Sequence, residues 1–237
     1  MWSRQFLTLI ILIKFKGVRK VKDCIELRQE IIDTCLWLKS QGLVFSTWGN
    51  ISVKLDDGNI LITPSKVDYD TMKPEDLVVL ASDGKQISGH RLSTSEREIH
   101  RRVMNKRADV GAIIHMHSPY AMMAAARNEG VPVISEEMCQ LLGGAIPLSS
   151  EFVPSDMHEK LGMVVSNSVD ETNAILIRNH GPMCFGKSLA EARVCCQVVE
   201  KSCKMYIHLL AAGNFVTISE ENVLRGRDYF LNSYGKS

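Results

Sequence analysis

Nothing in this 237-residue sequence divides it: no Pro/Gly/Ser-rich linker and no low-complexity run interrupts the chain. That absence favours one large domain over two small ones, and a composition of 45% hydrophobic and 23% charged residues is ordinary for a globular protein of that kind. Charge of one sign is missing too. A formal net charge of +1 argues against a general nucleic-acid binder, so any anion site has to be local. None of the seven cysteines pairs with another at C-x-x-C spacing, and their number is odd. Both facts point away from a disulfide scaffold and toward reduced thiols in a cytoplasmic protein. Cys196 and Cys203, seven apart on an expected helix, are read as sharing a buried face rather than a bond. The sequence has no P-loop and no Gly-rich dinucleotide fingerprint, which weakens the case for nucleotide chemistry. Near the N-terminus the apolar stretch 6–13 is too short to span a bilayer, and no small-x-small cleavage site accompanies it. Residues 1–20 are therefore set apart as an N-terminal extension, with a secretory signal or an interfacial anchor as the alternatives. Residues 21–237 are read as the domain, with no membrane partner.

What is present reads as intermixed helices and strands. Ile25, Leu27, Ile31, Ile32, Cys35, Leu36 and Leu38 recur at helical spacing before Gly42 and predict a helix within 21–42. In TWGNISVKLDDGNILITPS, Ile51, Val53 and Leu55 alternate with polar residues. Asp57-Gly58 makes a turn, and 60–62 return as the second arm of a β-hairpin. A second strand–turn–strand unit centres on Asp83-Gly84. Cap-type residues open STSEREIHRRVMNKRADV, an amphipathic helix with Ile99 and Val103 inward, and VGAIIHMH follows as a strand. SPYAMMAAARNEG begins as a helix at its proline and runs to Gly130. A short strand over 131–134 and helices over 136–142 and 156–167 come next. NAILIRNHGPMCFG reads as strand, turn and strand, and 188–212 as a long helix ended by Gly213. The class is α/β: a single domain with a central, mostly antiparallel or mixed sheet flanked by helices.

Chemistry concentrates at strand ends. His115 and His117 lie two apart after an apolar run, so on a strand both rings project from one face and can converge on one ion. His180 closes AILIRNHG, another apolar strand, immediately before a Gly-Pro turn. Neutral imidazole nitrogen suits zinc, and three protein ligands can leave a position open for substrate. A lone strand-end histidine is better read as a hydrogen-bonded cap; His-x-His and His-Gly together favour a metal. Glu96, one turn before His100, reads from spacing alone as a first-turn acid stabilised by the helix dipole. His100 is an alternative ligand, or else a surface or packing residue. A second cluster is rich in hydroxyls: Ser46, Thr47, Gly49 and Asn50 in STWGNIS, Ser65 and Lys66 in TPSKVDY, and Ser93, Thr94 and Ser95 at the helix start. Hydroxyls, backbone N–H groups and a helix N-terminus make a phosphate pocket without a large basic patch; taken singly, each is only a turn.

TWGNIS, ITPS, TSE, HMH and NHG stand in one order. With them the chain resembles the class II aldolase/adducin-type family, typified by L-fuculose-1-phosphate aldolase and L-ribulose-5-phosphate 4-epimerase, from about Leu27 to at least Ala212. The resemblance implies a zinc ion, one per subunit, held by Glu96, His115, His117 and His180, which displaces the dipole reading of Glu96. It implies that Thr47, Gly49, Asn50, Ser65, Thr94 and Ser95 hold a substrate phosphate. Lys66 stands where many relatives have glycine, adding a cation to that site or pointing away from it. The implied activity is zinc-dependent cleavage of a ketose 1-phosphate to dihydroxyacetone phosphate and an aldehyde. Glu96 would move the proton at the donor carbon, and no Schiff-base lysine is required. Glu137 departs from the aldolase pattern, which has tyrosine there. It resembles the acid/base of methylthioribulose-1-phosphate dehydratases, or is an exposed helix-start acid. Those dehydratases lack the metal-binding Glu, and the epimerases tend to carry Asp at that position, so Glu96 favours carbon–carbon cleavage. A dehydratase or 4-epimerase is the alternative activity, and a non-catalytic adducin-like module the remaining one. Relatives also use a C-terminal tyrosine, for which Tyr229 and Tyr234 are candidates. The resemblance further implies a cytoplasmic homotetramer with active sites at subunit interfaces.

Overall fold

The computed structural model describes residues 23–235, so the readings placed on 1–20 lie outside the described residues. Helix α1 (Ile25–Ser40) buries Ile31, Ile32, Cys35 and Leu38, an i, i+1, i+4, i+7 stripe, while Ile25 and Leu36 of the same expected stripe stay exposed. Gly42, at φ +67°, turns the chain out of the helix. Strands β1 (Gly49–Lys54) and β2 (Ile60–Ile62) form the expected hairpin, with Ser52 opposite Ile62. Strands β3 (Val78–Leu80) and β4 (Gln86–Ser88) form the second hairpin. Helix α2 (Arg97–Lys106) leads into β5 (Ala112–Met116), and helix α3 (Pro119–Ala125) follows. Then come helix α4 (His158–Ser168), strands β6 (Ala174–Ile177) and β7 (Gly181–Gly186), and helices α5 (Leu189–Ala212) and α6 (Glu220–Asn232).

The seven strands make one sheet in the order β4-β3-β2-β1-β5-β7-β6, and every pairing in it is antiparallel. Both faces are covered. Ile51, Val53, Ala112, Ile114 and Cys184 point to one side, into a core shared with α1, α3 and α5. Ile60, Ile62, Ile113, Met183 and Phe185 point to the other, into a core shared with α2 and α4, which pack on each other. Cys196 and Cys203 are buried together on α5, and all seven cysteines are free thiols. Among the described residues no helix is long and apolar enough to cross a membrane.

Three expectations change. The strand over 131–134 reduces to one bridge, Val131 with Ile146. Pro132 has no N–H to extend that pairing, and Gly130 lies so close to the Ile146 carbonyl that a Cβ would stand 2.3 Å from it. The helix over 136–142 is a single π-helical turn, Met138–Leu142, closed where Gly143, in left-handed backbone, donates its N–H to the Met138 carbonyl. Helix α3 stops at Ala125, short of Gly130.

Candidate metal centre and active site

Strand period brings the polar residues of the centre to one face. In β1 and β5, Asn50 is paired with His115 and Ser52 with Ile113, so Asn50, Ser52 and His115 all face α2, which carries His100 and begins beside Glu96. His117 continues the phase of His115. His180 arrives from the turn between β6 and β7, where Asn179 takes a left-handed conformation (φ 56°) that asparagine tolerates and the His180 N–H donates to the Ile177 carbonyl. Gly181 is required next: a Cβ there would lie 2.5 Å from the Met116 carbonyl, so only glycine lets β7 run this close to the end of β5.

The three imidazoles surround one point. Their ring centroids are 4.8 to 4.9 Å apart pairwise, with interplanar angles of 77° to 83°. One ligand atom from each lies within 4.8 Å of the others. The Glu96 carboxylate stands beside them, Oε1 at 3.1 Å from His180 Nε2 and Oε2 at 3.4 Å from His115 Nε2. His115 Nδ1 faces the Pro182 carbonyl at 2.9 Å and must carry a proton to donate to it, which leaves Nε2 as a bare lone pair. That lone pair meets His117 Nε2 at 2.9 Å. If His117 donated across this gap, its buried Nδ1 would be an unpartnered acceptor. A shared cation would accept both Nε2 lone pairs at once, each ring then carrying its proton on Nδ1: that of His115 donates to the Pro182 carbonyl, and that of His117 has no partner among the described residues. Three imidazole nitrogens and one carboxylate oxygen are a donor set that fits a divalent transition metal.

Burial shapes the charges. It lowers the His115 and His117 pKa values, His117 to about 3, and neighbouring histidine charge lowers them further. The same burial would raise Glu96, yet the adjoining His115 and His180, with a hydrogen bond from Asn50, outweigh it and hold the carboxyl well below the usual range. Burial thus favours the neutral ring at His115 and His117, the form in which imidazole ligates a metal.

The hydroxyl loops adjoin this centre. Ser65 N–H donates to the Leu92 carbonyl and Thr94 N–H to the Thr63 carbonyl, and Pro64 bridges Ser93, so TPS and STS run side by side at the start of α2. Trp48, between Thr47 and Gly49, lays its ring edge-on to His117 at 5.8 Å. Gly49 packs against the His115 carbonyl too closely for any side chain, a Cβ meeting that oxygen at 2.9 Å. Ser65 is half-buried; Lys66 and Ser95 are exposed, Lys66 in left-handed backbone. Asn50 differs from the rest of the expected phosphate set. Its side chain is turned to Glu96 and His100, at 2.7 and 2.5 Å. His100, expected as a ligand or a packing residue, is fully buried and touches Ser52 and Asn50 rather than the imidazole trio. Glu137 pairs with Lys201 at 2.5 Å, and that ion pair holds its carboxyl below the ordinary value. Tyr229 and Tyr234 meet each other, centroids 5.9 Å apart, and are both exposed.

An antiparallel sheet covered on both faces, with a histidine trio and a carboxylate at its strand ends, defines a metal-centred enzyme scaffold. The chain belongs to the family described as Class II Aldolase and Adducin N-terminal domain, matched over residues 29–207. It is an enzyme of the class II aldolase superfamily. It is 34% identical over 188 residues to an L-fuculose phosphate aldolase of Haemophilus influenzae, covering 79% of this chain and 85% of that one. It is 31% identical over 190 residues to the L-ribulose-5-phosphate 4-epimerase UlaF of Salmonella paratyphi C, covering 76% and 83%. A solved L-fuculose 1-phosphate aldolase superimposes with a TM-score of 0.84 at 27% identity, over 88% of this chain and 97% of that one.

Proposed function

We propose that the protein is a zinc-dependent aldolase that cleaves a ketose 1-phosphate, of the L-fuculose 1-phosphate kind or a related deoxy-ketose phosphate, to dihydroxyacetone phosphate and an aldehyde. The observation that carries this reading is the convergence of His115, His117, His180 and Glu96 on one buried point. These four residues would hold the ion. When bound, zinc supplies Lewis-acid polarisation of a substrate carbonyl. Thr47, Gly49, Ser65, Thr94 and Ser95 bind the phosphate, through hydroxyls and backbone N–H groups at the start of α2, with Lys66 as the added cation, while the Asn50 side chain, held by Glu96 and His100, takes no part. Glu96 exchanges the proton at the donor carbon. A second acid/base takes the proton of the hydroxyl on the far side of the breaking bond; Glu137, supplied across a subunit interface of a homotetramer, or Tyr229 or Tyr234, fills that role. Free thiols fit a cytoplasmic setting.

The similarity to a 4-epimerase supports a second reading, epimerisation of a pentulose 5-phosphate. Glu96, in place of the aspartate such epimerases tend to carry, favours cleavage. Zinc-loaded protein should be screened against ketose 1-phosphates with a reductase that oxidises NADH on dihydroxyacetone phosphate. Release of that product is the expected result. No release from any of them, with L-ribulose 5-phosphate converted to its 4-epimer, would replace the aldolase by the epimerase.

A further inference from the structure

Behind the carboxylate lies a line of buried polar groups that the proposed reaction does not use. Ser52 Oγ is 2.6 Å from His100 Nδ1, His100 Nε2 is 2.5 Å from Asn50 Oδ1, and Asn50 Nδ2 is 2.7 Å from Glu96 Oε2. Ser52 and His100 are wholly buried, and Asn50 and Glu96 nearly so. They come from two elements only: Asn50 and Ser52 from alternate positions of β1, Glu96 and His100 one turn apart at the start of α2.

Each link has one allowed direction. An amide oxygen cannot donate, so His100 must carry its proton on Nε2 to reach Asn50. Burial keeps the ring neutral, lowering its pKa to about 3, a shift that Glu96 opposes and His115 reinforces. Nδ1 is then an acceptor, and the Ser52 hydroxyl donates to it. Flipping the Asn50 amide would set its oxygen against the Glu96 carboxylate and its NH2 against the His100 N–H, two repulsions in place of two hydrogen bonds. The order Ser52→His100→Asn50→Glu96 is therefore fixed, and its last donor lands on the oxygen of Glu96 that faces His115.

We propose that His100 is a positioning residue: with Ser52 it locks the tautomer and amide orientation through which Asn50 holds the Glu96 carboxylate toward the imidazole trio. This rests on the metal-centre reading above. A glutamate that must ligate an ion and also exchange a proton needs one oxygen anchored, or it rotates away from both tasks.

The test uses the full-length chain stripped of metal and titrated with Co2+, whose d–d absorption reports ligand geometry, together with kcat and KM of the zinc-loaded protein. His100→Gln restores an N–H near the Nε2 position, whereas His100→Asn places its amide near Nδ1 and leaves Asn50 without its donor. With thermal midpoints matched, His100→Asn should lower Co2+ affinity and kcat by about 10- to 100-fold, the usual scale for groups behind metal ligands, with KM little changed. His100→Gln should recover most of both. Should His100→Asn not fold, Ser52→Ala provides a milder version: a smaller loss in the same direction, with the Co2+ spectrum moving toward that of Glu96→Gln. Equal behaviour of the Gln and Asn variants, or a Ser52→Ala spectrum and affinity identical to wild type, overturns the relay while leaving the aldolase reading standing. A wild-type chain that takes up no Co2+ overturns both.

Discussion

Glu96 is asked to ligate and to move a proton, and the two roles separate on substitution. Glu96→Gln keeps an oxygen for the ion and the shape of the site, so metal content should fall only in part while cleavage drops by about two to four orders of magnitude. His117→Ala, which removes a ligand outright, should lose metal and turnover together; elemental analysis beside the coupled assay separates the two cases. His100 carries an expectation about stability. Its pKa is depressed to about 3 in the folded chain, against about 6.5 when unfolded, so below the upper value the unfolded state binds the extra proton. Stability from this residue is complete above pH 6.5 and declines as pH falls, by up to about 1.4 kcal/mol per unit. Denaturant unfolding of wild type and His100→Gln between pH 6.5 and about 5 should therefore differ in slope by roughly one proton, wild type being the steeper. Parallel slopes would mean that His100 is protonated without cost in the fold.

The elements are unevenly legible in the sequence, for physical reasons. Helix α1, both hairpins, α2 and β5 are plain because one apolar period dominates each. The polar face of β1 was legible as alternation but not as burial: Asn50 and Ser52 look solvent-facing until α2 and α4 cover the second side of the sheet. The relay through His100 was invisible for that reason. Glu96 was misread from spacing because its partners lie in other elements; only the resemblance placed it with the histidines. Helix α6 gave no periodic signal, since Val223 is its one buried residue. Helix α5 announces itself by its cap, Ser188 Oγ accepting from the Glu191 N–H at 3.3 Å while Glu191 Oε2 accepts from the Lys187 N–H at 2.8 Å. Ser188→Ala should cost about 1 kcal/mol in a denaturant titration and leave metal uptake unchanged.

At the scale of the whole molecule, the proposal with Glu137 as the second acid/base across an interface requires more than one copy. Glu137 stands at the start of the turn that packs against α5 and α6, and it pairs with Lys201 of α5. Phe45, Trp48 and Leu92, in the loops beside the site, are exposed. Sedimentation should accordingly report four copies of the 26.5 kDa chain, and dilution that separates them should abolish cleavage while each chain keeps its metal. A fully active monomer would confine the second acid/base to residues of a single chain.

The antiparallel register of β5 has one more consequence. His115 and His117 owe their common direction to phase alone, because Ile113 and Ile114 are equally apolar and differ only in the side to which they point. One extra alanine placed between Gly111 and Ala112, with the ladder to β1 and β7 held in its present pairing up to the insertion, would send both rings into the opposite core. Hydropathy along the strand would hardly change, and the ion would have nowhere to sit. Such an insertion should erase metal uptake as completely as deleting the histidines, which an equilibrium dialysis against Zn2+ would show. The centre is written in parity, and parity is lost in a single step.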